Sequence, residues 1–328
     1  MQDNHKALEA AAGTVALQFT GRAGEYFSIW IVNLSLSIVT LGIYSAWAKV
    51  RRKRYFYGNT FLNDSAFDYL ADPKTILKGR IIVVAAFVAY SLIKDIQPIV
   101  GLVLILAFLA ALPWLIVRAM RFNAWNTAHR NVRFGFHGTY GGLCAALSLP
   151  ALLAIVTIGL AYPYFAYRKD KFIVEQSSYG TTRFAFCATV GDYYLACVKV
   201  FAAGLGFLAG SVVTLGIGAL PLYILARAYA VATMGRLKWM NTTLSDIHFD
   251  CAWTTTGLFK LNLLNALGVI FSFGLLIPWA AIRAAKYTLE GLSLRPASAI
   301  SGFITANQAQ VAALGEEAGE LLGFDFGL

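Results

Sequence analysis

Residues 39–54 have the sequence VTLGIYSAWAKVRRKR, and two later stretches resemble it. They are residues 156–171, VTIGLAYPYFAYRKDK, and residues 271–286, FSFGLLIPWAAIRAAK. Each has a glycine, an aromatic residue five positions later and a basic pair beyond it, and the offsets between counterparts are 117 and 115 throughout. Because the offsets are the same for turn, aromatic and charged residues, the pattern indicates an internal repeat, with two copies and the first part of a third.

The three stretches lie in long apolar runs that differ from ordinary transmembrane helices. The runs cover residues 26–48, 143–165 and 258–281. A residue that disfavours helix lies about one third of the way into each run, namely Asn33, Pro150 and Asn265. We interpret the runs as re-entrant segments that enter and leave the membrane on the same side. Two arms of roughly 16 Å each reach about half way through a hydrocarbon core of about 30 Å.

The composition is that of a membrane protein. Of the 328 residues, 58% are hydrophobic and 13% are charged, and the mean hydropathy is +0.63. A soluble domain uses roughly 25% charged residues to form its polar surface, so this composition disfavours a soluble enzyme and excludes a disordered chain. Four further apolar runs approach the roughly 20 residues that cross a bilayer. They cover residues 76–93, 99–117, 195–209 and 212–226.

The distribution of the 27 Lys and Arg residues selects between two topologies. If all seven apolar runs crossed the membrane, the two sides would receive twelve and fifteen basic residues. If three runs are re-entrant, only the turns around residues 94–98 and Gly210 face outward. The inner side then carries 26 basic residues, and the outer side carries one, Lys94. Basic residues concentrate on the cytoplasmic side, so we expect the second topology, with both termini cytoplasmic.

These patterns predict an all-α polytopic membrane protein of about 2.5 parallel internal repeats, each a re-entrant hairpin followed by two transmembrane helices. Alternating apolar and polar residues predict short cytoplasmic β-strands. The strands are expected at residues 67–69, 134–136, 183–186 and 248–250. The predicted segments are an N-terminal cytoplasmic segment (1–18), repeat 1 (19–133), repeat 2 (134–250), a partial repeat 3 (251–300) and an acidic cytoplasmic tail (301–328).

Several motifs resemble the YjgN-like family of bacterial inner-membrane proteins. They include Phe19-Thr20-Gly21, residues 39–48 (VTLGIYSAWA), Trp125-Asn126-Thr127 and residues 134–138 (FGFHG). The resemblance covers roughly residues 18–290. It implies a location in a bacterial inner membrane and a domain of unknown function, and it supplies no activity, cofactor or catalytic residue.

The basic pairs are the candidate ligand-binding residues. They are Arg51 and Arg54, Arg168 and Lys171, and Arg283 and Lys286. The spacing i, i+3 places both cations of a pair on one face of a helix. One interpretation is a site for an anionic solute, a phosphate or a lipid headgroup, because Arg suits bidentate phosphate contact. The other is a topological anchor that touches only bulk anionic lipid.

The three glycines of the repeated stretches, Gly42, Gly159 and Gly274, are candidate structural residues. Glycine lets two backbones approach closely, so these positions are expected at a tight helix crossing or at the tip of a re-entrant segment. The alternative is that they line a pore. The sequence favours the packing role.

The chain lacks the motifs of common catalytic and metal sites. It has no phosphate-binding Gly-Lys-Ser/Thr loop, no Gly-x-Ser-x-Gly and no His-Glu-x-x-His, and its four cysteines have no metal-ligand spacing. We therefore expect no enzymatic activity, no cofactor and no metal. The predicted spanning helices also carry no Asp or Glu near their middle, where proton-coupled transporters usually keep one.

The predicted function is binding or translocation of a small anionic solute or lipid, and the alternative is a non-transporting membrane scaffold. The expected partners are membrane lipids with anionic headgroups. Nucleic acid is not expected as a partner, because the basic residues adjoin apolar membrane segments. The sequence leaves open whether the protein forms a homo-oligomer.

Overall fold

The computed structural model describes residues 13–214 and 218–296. Within these ranges the chain forms ten helices and eleven strands. The helices are α1 (Ala23–Val39), α2 (Ser45–Gly58), α3 (Pro73–Ile96), α4 (Pro98–Trp125), α5 (Tyr140–Val156), α6 (Tyr162–Glu175), α7 (Val190–Val213), α8 (Ala219–Met240), α9 (Thr255–Phe271) and α10 (Ile277–Glu290). The strands are β1 (Val15–Ala16), β2 (Gln18–Phe19), β3 (Thr60–Leu62), β4 (Ser65–Tyr69), β5 (Thr127–His129), β6 (Val132–Phe136), β7 (Ser177–Tyr179), β8 (Thr182–Phe186), β9 (Thr242–Leu244), β10 (Ile247–Cys251) and β11 (Leu292–Arg295).

Local signals explain where the elements begin and turn. The threonines at 139, 189 and 254 cap α5, α7 and α9, since each hydroxyl accepts a backbone N–H of the first helical turn. Asp72 caps α3, whose first residue is Pro73. The hairpin between β3 and β4 turns at Asn63 and Asp64, both with positive φ, which is the backbone of a two-residue type I′ turn.

All eleven described strands belong to one antiparallel sheet. Its order is β1-β11-β10-β9-β8-β7-β6-β5-β4-β3-β2. The two edge strands are consecutive in the chain and are separated only by Leu17, whose N–H donates to the Leu292 carbonyl at 3.0 Å. The two edges of the sheet are therefore adjacent, and the sheet closes into a barrel through the chain connection between β1 and β2.

The interior of the barrel is the main hydrophobic core of the sheet. Leu62, Val132, Tyr179, Leu244 and Ile247 are buried there, with phenylalanine rings from the longer strands packed against them. Side chains alternate between the two faces of a strand, so every second residue of each strand points inward. The strands enclose more space than these side chains fill, and an apolar cavity of about 220 Å³ remains.

The helices follow the closed order of the strands. Each helix packs against the next one along the chain, and α10 packs against α1, which completes a ring. The closure joins Tyr26 of α1 to Ile282 of α10, together with Phe19 of β2. In the part of the chain that the structure describes, a helix pair and a β-hairpin alternate from α1 to α10.

Three helices of the described residues are long and apolar enough to cross a membrane. The candidate spans are Pro73–Lys94, Ile99–Trp125 and Val190–Val213. Their surfaces are exposed and apolar, as at Ile82 (69% exposed) and Phe87 (66% exposed). The helices α1, α5 and α9 are also apolar but have only 17 residues each.

The prediction of an all-α protein of about 2.5 repeats with short strands is wrong. The strands form one closed eleven-stranded sheet, and the segments predicted as strands are each one half of a hairpin whose other strand was missed. The sequence also predicted four spanning helices, whereas three candidates occur in the described residues. The predicted turn at Gly210 lies inside α7, and α8 carries Arg227, Arg236 and Lys238.

The all-α prediction is wrong because the strands are very short. At two to five residues each, they are too short to show a clear alternating pattern, and their pairing joins residues far apart in the chain. The predicted acidic tail (301–328) lies outside the described residues, as do residues 1–12 of the predicted N-terminal segment.

Candidate functional site

Three helix pairs share one kind of tip. The pairs α1–α2, α5–α6 and α9–α10 are each joined by a five-residue turn, at residues 40–44, 157–161 and 272–276. In each turn a large apolar residue with positive φ precedes a glycine with φ near 90°. The pairs of residues are Leu41 and Gly42, Ile158 and Gly159, and Phe273 and Gly274.

The glycines are required by the backbone and not by close packing. A Cβ added to Gly42 or Gly159 would meet no atom within 4 Å, and at Gly274 it would meet only Ile277 Cδ1 at 3.5 Å. A φ of about 90° is unfavourable for other L-residues, whereas glycine adopts it freely. The close approach of two backbones predicted for these positions is therefore not seen.

The polar backbone groups of each tip are satisfied within the turn. The Thr40 hydroxyl donates to the Leu36 carbonyl at 2.7 Å and accepts the Tyr44 N–H at 2.9 Å. Thr157 makes the same two bonds in the second turn, and Ser272 makes a similar pair in the third. Backbone that enters hydrocarbon must satisfy its hydrogen bonds internally, and the backbone N–H groups of these turns all have an acceptor in the protein.

The apolar residues at the tips are almost fully exposed. Leu41 is 94% exposed, Ile158 is 95% exposed and Phe273 is 97% exposed. A helix of 17 residues is roughly 26 Å long, less than the hydrocarbon thickness of about 30 Å. The tips thus have the surface of a membrane-inserted segment on arms too short to cross the bilayer.

The predicted basic pairs lie at a fixed distance from the tips. Their two members follow the tip glycine by nine and twelve residues in α2, α6 and α10 alike. At 1.5 Å per residue these separations are about 14 and 18 Å, close to half of the hydrocarbon thickness. If a tip lies at the bilayer midplane, its basic pair lies at the level of the lipid headgroups.

The arginines that begin two of these pairs are held by aromatic rings. The guanidinium carbon of Arg283 lies 4.4 Å from the centre of the Trp279 ring, and an Arg283 N–H donates to Asn265 Oδ1 at 3.3 Å. The guanidinium carbon of Arg168 lies 6.0 Å from the centre of the Tyr164 ring. A ring face orients a guanidinium and leaves its edge available to an anion.

The second cations have partners of their own. Arg54 donates to the carbonyls of Tyr69 and Ala71, both at 3.3 Å, and so ties α2 to the end of β4. Lys171 and Lys286 lie 3.9 Å from Glu175 and Glu290 in i, i+4 ion pairs. The three basic pairs belong to three different helix pairs, and no hydrogen bond or ion pair among the described residues joins one basic pair to another.

A second cationic region, which the sequence did not predict, lies on the outer face of the barrel. It is a cleft of about 720 Å³ between the end of α4 and the strands β6, β7 and β8. The residues that define this cationic cleft are Arg121, Trp125, Arg133, His137, Ser178 and Arg183. Arg133, Gly135 and His137 alternate along β6 and beyond it, and that spacing was the signal available in the sequence.

Contacts inside the cationic cleft fix the positions of its side chains. Arg121 donates to the Gly138 carbonyl at 3.1 Å, and the Arg133 guanidinium carbon lies 4.9 Å from the centre of the Trp125 ring. His137 Nε2 and Ser178 Oγ are 3.0 Å apart. No residue with a carboxylate lines the cleft in the part of the chain that is described.

A buried polar cluster joins α6, α7 and α8. Asp170 of α6 is 8% exposed, accepts the Tyr193 hydroxyl of α7 at 2.9 Å and lies 3.4 Å from Lys238 Nζ of α8. Its role is to tie three helices together. In residues 13–214 and 218–296, no group of three or more His, Cys, Asp or Glu side chains is arranged to hold a metal ion.

Comparison with known proteins places the sequence among bacterial membrane proteins. It matches the family described as "Bacterial protein of unknown function (DUF898)" over residues 14–221 and 209–321. The inner membrane protein YjgN of Salmonella typhimurium is 37% identical over 121 residues, which are 37% of this chain and 31% of the relative. The proteins of that name from Escherichia coli O157:H7 and K12 are 33% and 34% identical over 139 residues, 42% of this chain and 35% of each relative.

The matched regions leave much of these relatives uncovered. The chain spans about a third of their length, from 31% to 35%. No solved structure is significantly similar to the chain.

Proposed function

Because the chain belongs to the DUF898 family of bacterial proteins, and its relatives are inner membrane proteins, we propose that it is a multi-pass inner membrane protein. Its proposed function is to bind anionic lipid headgroups. In the proposed topology, the barrel and both termini are cytoplasmic. The observation that carries this proposal is the constant distance between each apolar tip and its basic pair. It supports the proposal because, with each tip near the bilayer midplane, the six cations would lie about 14 to 18 Å from that plane, near the lipid headgroups.

The closed barrel supports the topology. Every described helix pair begins and ends at strands of the same sheet, so each pair must return to the side from which it left. The candidate spans α3 and α4 are joined by Gln97 alone and would cross as one hairpin. Of the 27 basic residues, only Lys94 would then face outward, and this excess of positive charge on the barrel side supports a cytoplasmic barrel.

The environment of the arginines supports headgroup binding. Arg168 lies over the ring of Tyr164, and Arg283 lies over the ring of Trp279. Tyr and Trp are enriched at the interface between membrane and water. A guanidinium held in this way can donate two parallel hydrogen bonds to one phosphate. Of the two activities predicted from the sequence, binding is the one that this geometry favours, because the cations lie at a surface and not along a path through the membrane.

The test exchanges the guanidinium for an ammonium at the same charge. In the triple variant Arg51→Lys, Arg168→Lys, Arg283→Lys, we expect the anionic lipid that copurifies in a neutral detergent to fall severalfold, as measured by native mass spectrometry. The matched control is Arg22→Lys, Arg227→Lys, Arg236→Lys, which changes three exposed arginines outside the basic pairs and should retain lipid like the wild type.

Equal lipid retention in the two triple variants would contradict the proposal. The basic pairs would then be topological anchors that need only positive charge, and the scaffold function would be favoured.

A further inference from the structure

We propose that the cationic cleft on the outer face of the barrel is a binding site for a phosphorylated ligand. The site is separate from the basic pairs, which lie on α2, α6 and α10. Its residues come from the end of α4 and from three neighbouring strands. The inference therefore does not depend on headgroup binding by the basic pairs.

The first argument is the concentration of unneutralised positive charge. Three arginines from three different elements, Arg121, Arg133 and Arg183, line one cleft that contains no acidic side chain from the described residues. Some cations of this protein do have acidic partners, such as Arg295, whose Nε lies 2.9 Å from Asp250 Oδ2. The backbone of Arg183 belongs to β8, but its exposed side chain makes no hydrogen bond or ion pair with any described residue. Like charges gathered without a counter-charge repel each other, and an anionic ligand removes that repulsion.

The second argument is the shape of the floor. The strand register places Gly135 opposite Ser178, and Ser178 opposite Arg183. A Cβ on Gly135 would collide with Ser178 Oγ and lie 3.1 Å from His137 Nε2. Glycine at this position thus leaves room for the hydroxyl–imidazole pair, and the pair lies between arginines on either side.

The chemistry of the lining groups identifies the ligand class. Guanidinium groups bind phosphate in a bidentate manner, and the exposed imidazole of His137, which the buried Ser178 hydroxyl holds in place, adds a hydrogen bond to the phosphate oxygens. A volume of about 720 Å³ is far larger than one phosphate group requires, so the ligand carries an organic portion or a second phosphate.

Two sources of such a phosphate can reach the cleft. Arg121 and Trp125 lie in the last turns of α4, beyond the apolar part of that candidate span. At this position the cleft adjoins the headgroup layer and also opens to the cytoplasm in the proposed topology. A phosphomonoester headgroup and a soluble diphosphate share the same recognition chemistry, and the experiment has to separate them.

The experiment measures binding to the full chain in two arms. In the first, inorganic pyrophosphate is titrated into the protein in a neutral detergent and binding is followed by calorimetry. In the second, the protein in phosphatidylcholine nanodiscs is compared with protein in nanodiscs that also contain phosphatidic acid, and the thermal midpoint is recorded. The variants are Arg183→Gln and Arg133→Gln, and the control is Arg236→Gln, an exposed arginine outside the cleft.

We expect Arg183→Gln to weaken pyrophosphate binding by about tenfold or more, because a hydrogen bond to a charged group is lost, and Arg236→Gln to bind like the wild type. Stabilisation by phosphatidic acid alone, lost in Arg183→Gln, would support the site with a headgroup as its ligand. Absence of both effects in the wild type, or equal effects in Arg183→Gln and Arg236→Gln, would overturn the proposal. The triple Lys variant of the basic pairs should bind pyrophosphate normally, which separates failure of this site from failure of headgroup binding.

Discussion

His129 is 1% exposed inside the barrel, where its ring centre lies 4.6 Å from that of Phe67. Its Nε2 lies 3.2 Å from the Leu62 carbonyl oxygen, and the Tyr179 hydroxyl donates to the backbone carbonyl of His129 at 3.1 Å. Burial lowers the pKa of His129 below the ordinary value of 6.5, and the nearby charge of Arg130 lowers it further. Burial likewise raises the pKa of Tyr179 to about 12, so both side chains are neutral near pH 7.

The lowered pKa of His129 predicts a loss of stability in mild acid. As the pH falls below about 6.5, the unfolded chain binds a proton at His129 that the folded barrel excludes, so the free energy of unfolding decreases. We expect the thermal midpoint in detergent to fall from about pH 7.5 to about pH 5, and the slope to be smaller in His129→Gln. The matched control is His248→Gln at an exposed position of β10, which should keep the wild-type slope.

Equal slopes in the wild type and in His129→Gln would contradict this interpretation. The glutamine amide in this variant retains a donor for the Leu62 carbonyl, so a lower midpoint at all pH values would report only on packing. The difference in slope is the informative quantity.

The turns between paired helices lie at a fixed separation from the basic pairs. Each combines a glycine of positive φ with a hydroxyl that satisfies the turn, and each projects one large apolar side chain. The pattern is local: all of these groups lie within nine residues of one another in the sequence. For that reason the repeated stretches were visible without the structure.

The tip glycines give a prediction that separates backbone strain from close packing. Because the space beside Gly42 is open, Gly42→Ala and Gly42→Leu should destabilise the protein by a similar amount, about 1 kcal/mol, through the cost of positive φ. Gly204, which lies in α7 with no atom within 4 Å of an added Cβ, is the matched control. Gly204→Ala should be neutral or stabilising, since alanine is the better helix former.

Thermal unfolding in detergent measures these differences. A Leu variant far less stable than the Ala variant at position 42 would mean that the side chain meets a packed neighbour. That result would restore the close approach predicted from the sequence.

At the scale of the whole molecule, the closed barrel constrains the route of every helix pair. Because the strands before and after each pair belong to one sheet, both ends of every described helix pair lie at the sheet. The ring of helices, closed by the contact between α10 and α1, follows the same order. Topology is therefore a property of the complete sheet and not of any single apolar run.

This constraint predicts which positions an impermeant thiol reagent reaches from outside intact cells. In a background without the four native cysteines, Gln97→Cys, between α3 and α4, should be labelled. Asp246→Cys, exposed in the turn between β9 and β10, should be labelled only after the membrane is opened. Asp170 of α6 is buried and therefore unsuitable for the same comparison. External labelling at position 246 would place the barrel outside and reverse the proposed orientation.

The sequence alone determined the membrane class and the family, and it singled out the three glycines that the structure places in turns. Hydropathy and charge are sums over residues, and the features around Gly42, Gly159 and Gly274 lie within one or two helical turns, so no long-range contact is needed to recognise them. The positions of the basic pairs follow from the same local spacing.

Only the tertiary structure decided the barrel, the ring of helices and the cationic cleft. Leu17 meets Leu292 across nearly the whole chain, and Ser178 meets His137 and Arg183 because β6, β7 and β8 are neighbours in the sheet. Strands of two to five residues carry too little pattern to specify such pairings, since their stability comes from cross-strand neighbours and from closure of the sheet. The all-α prediction failed for this reason: each strand is held by residues distant in the sequence, whereas each helix and its turn are held by residues nearby.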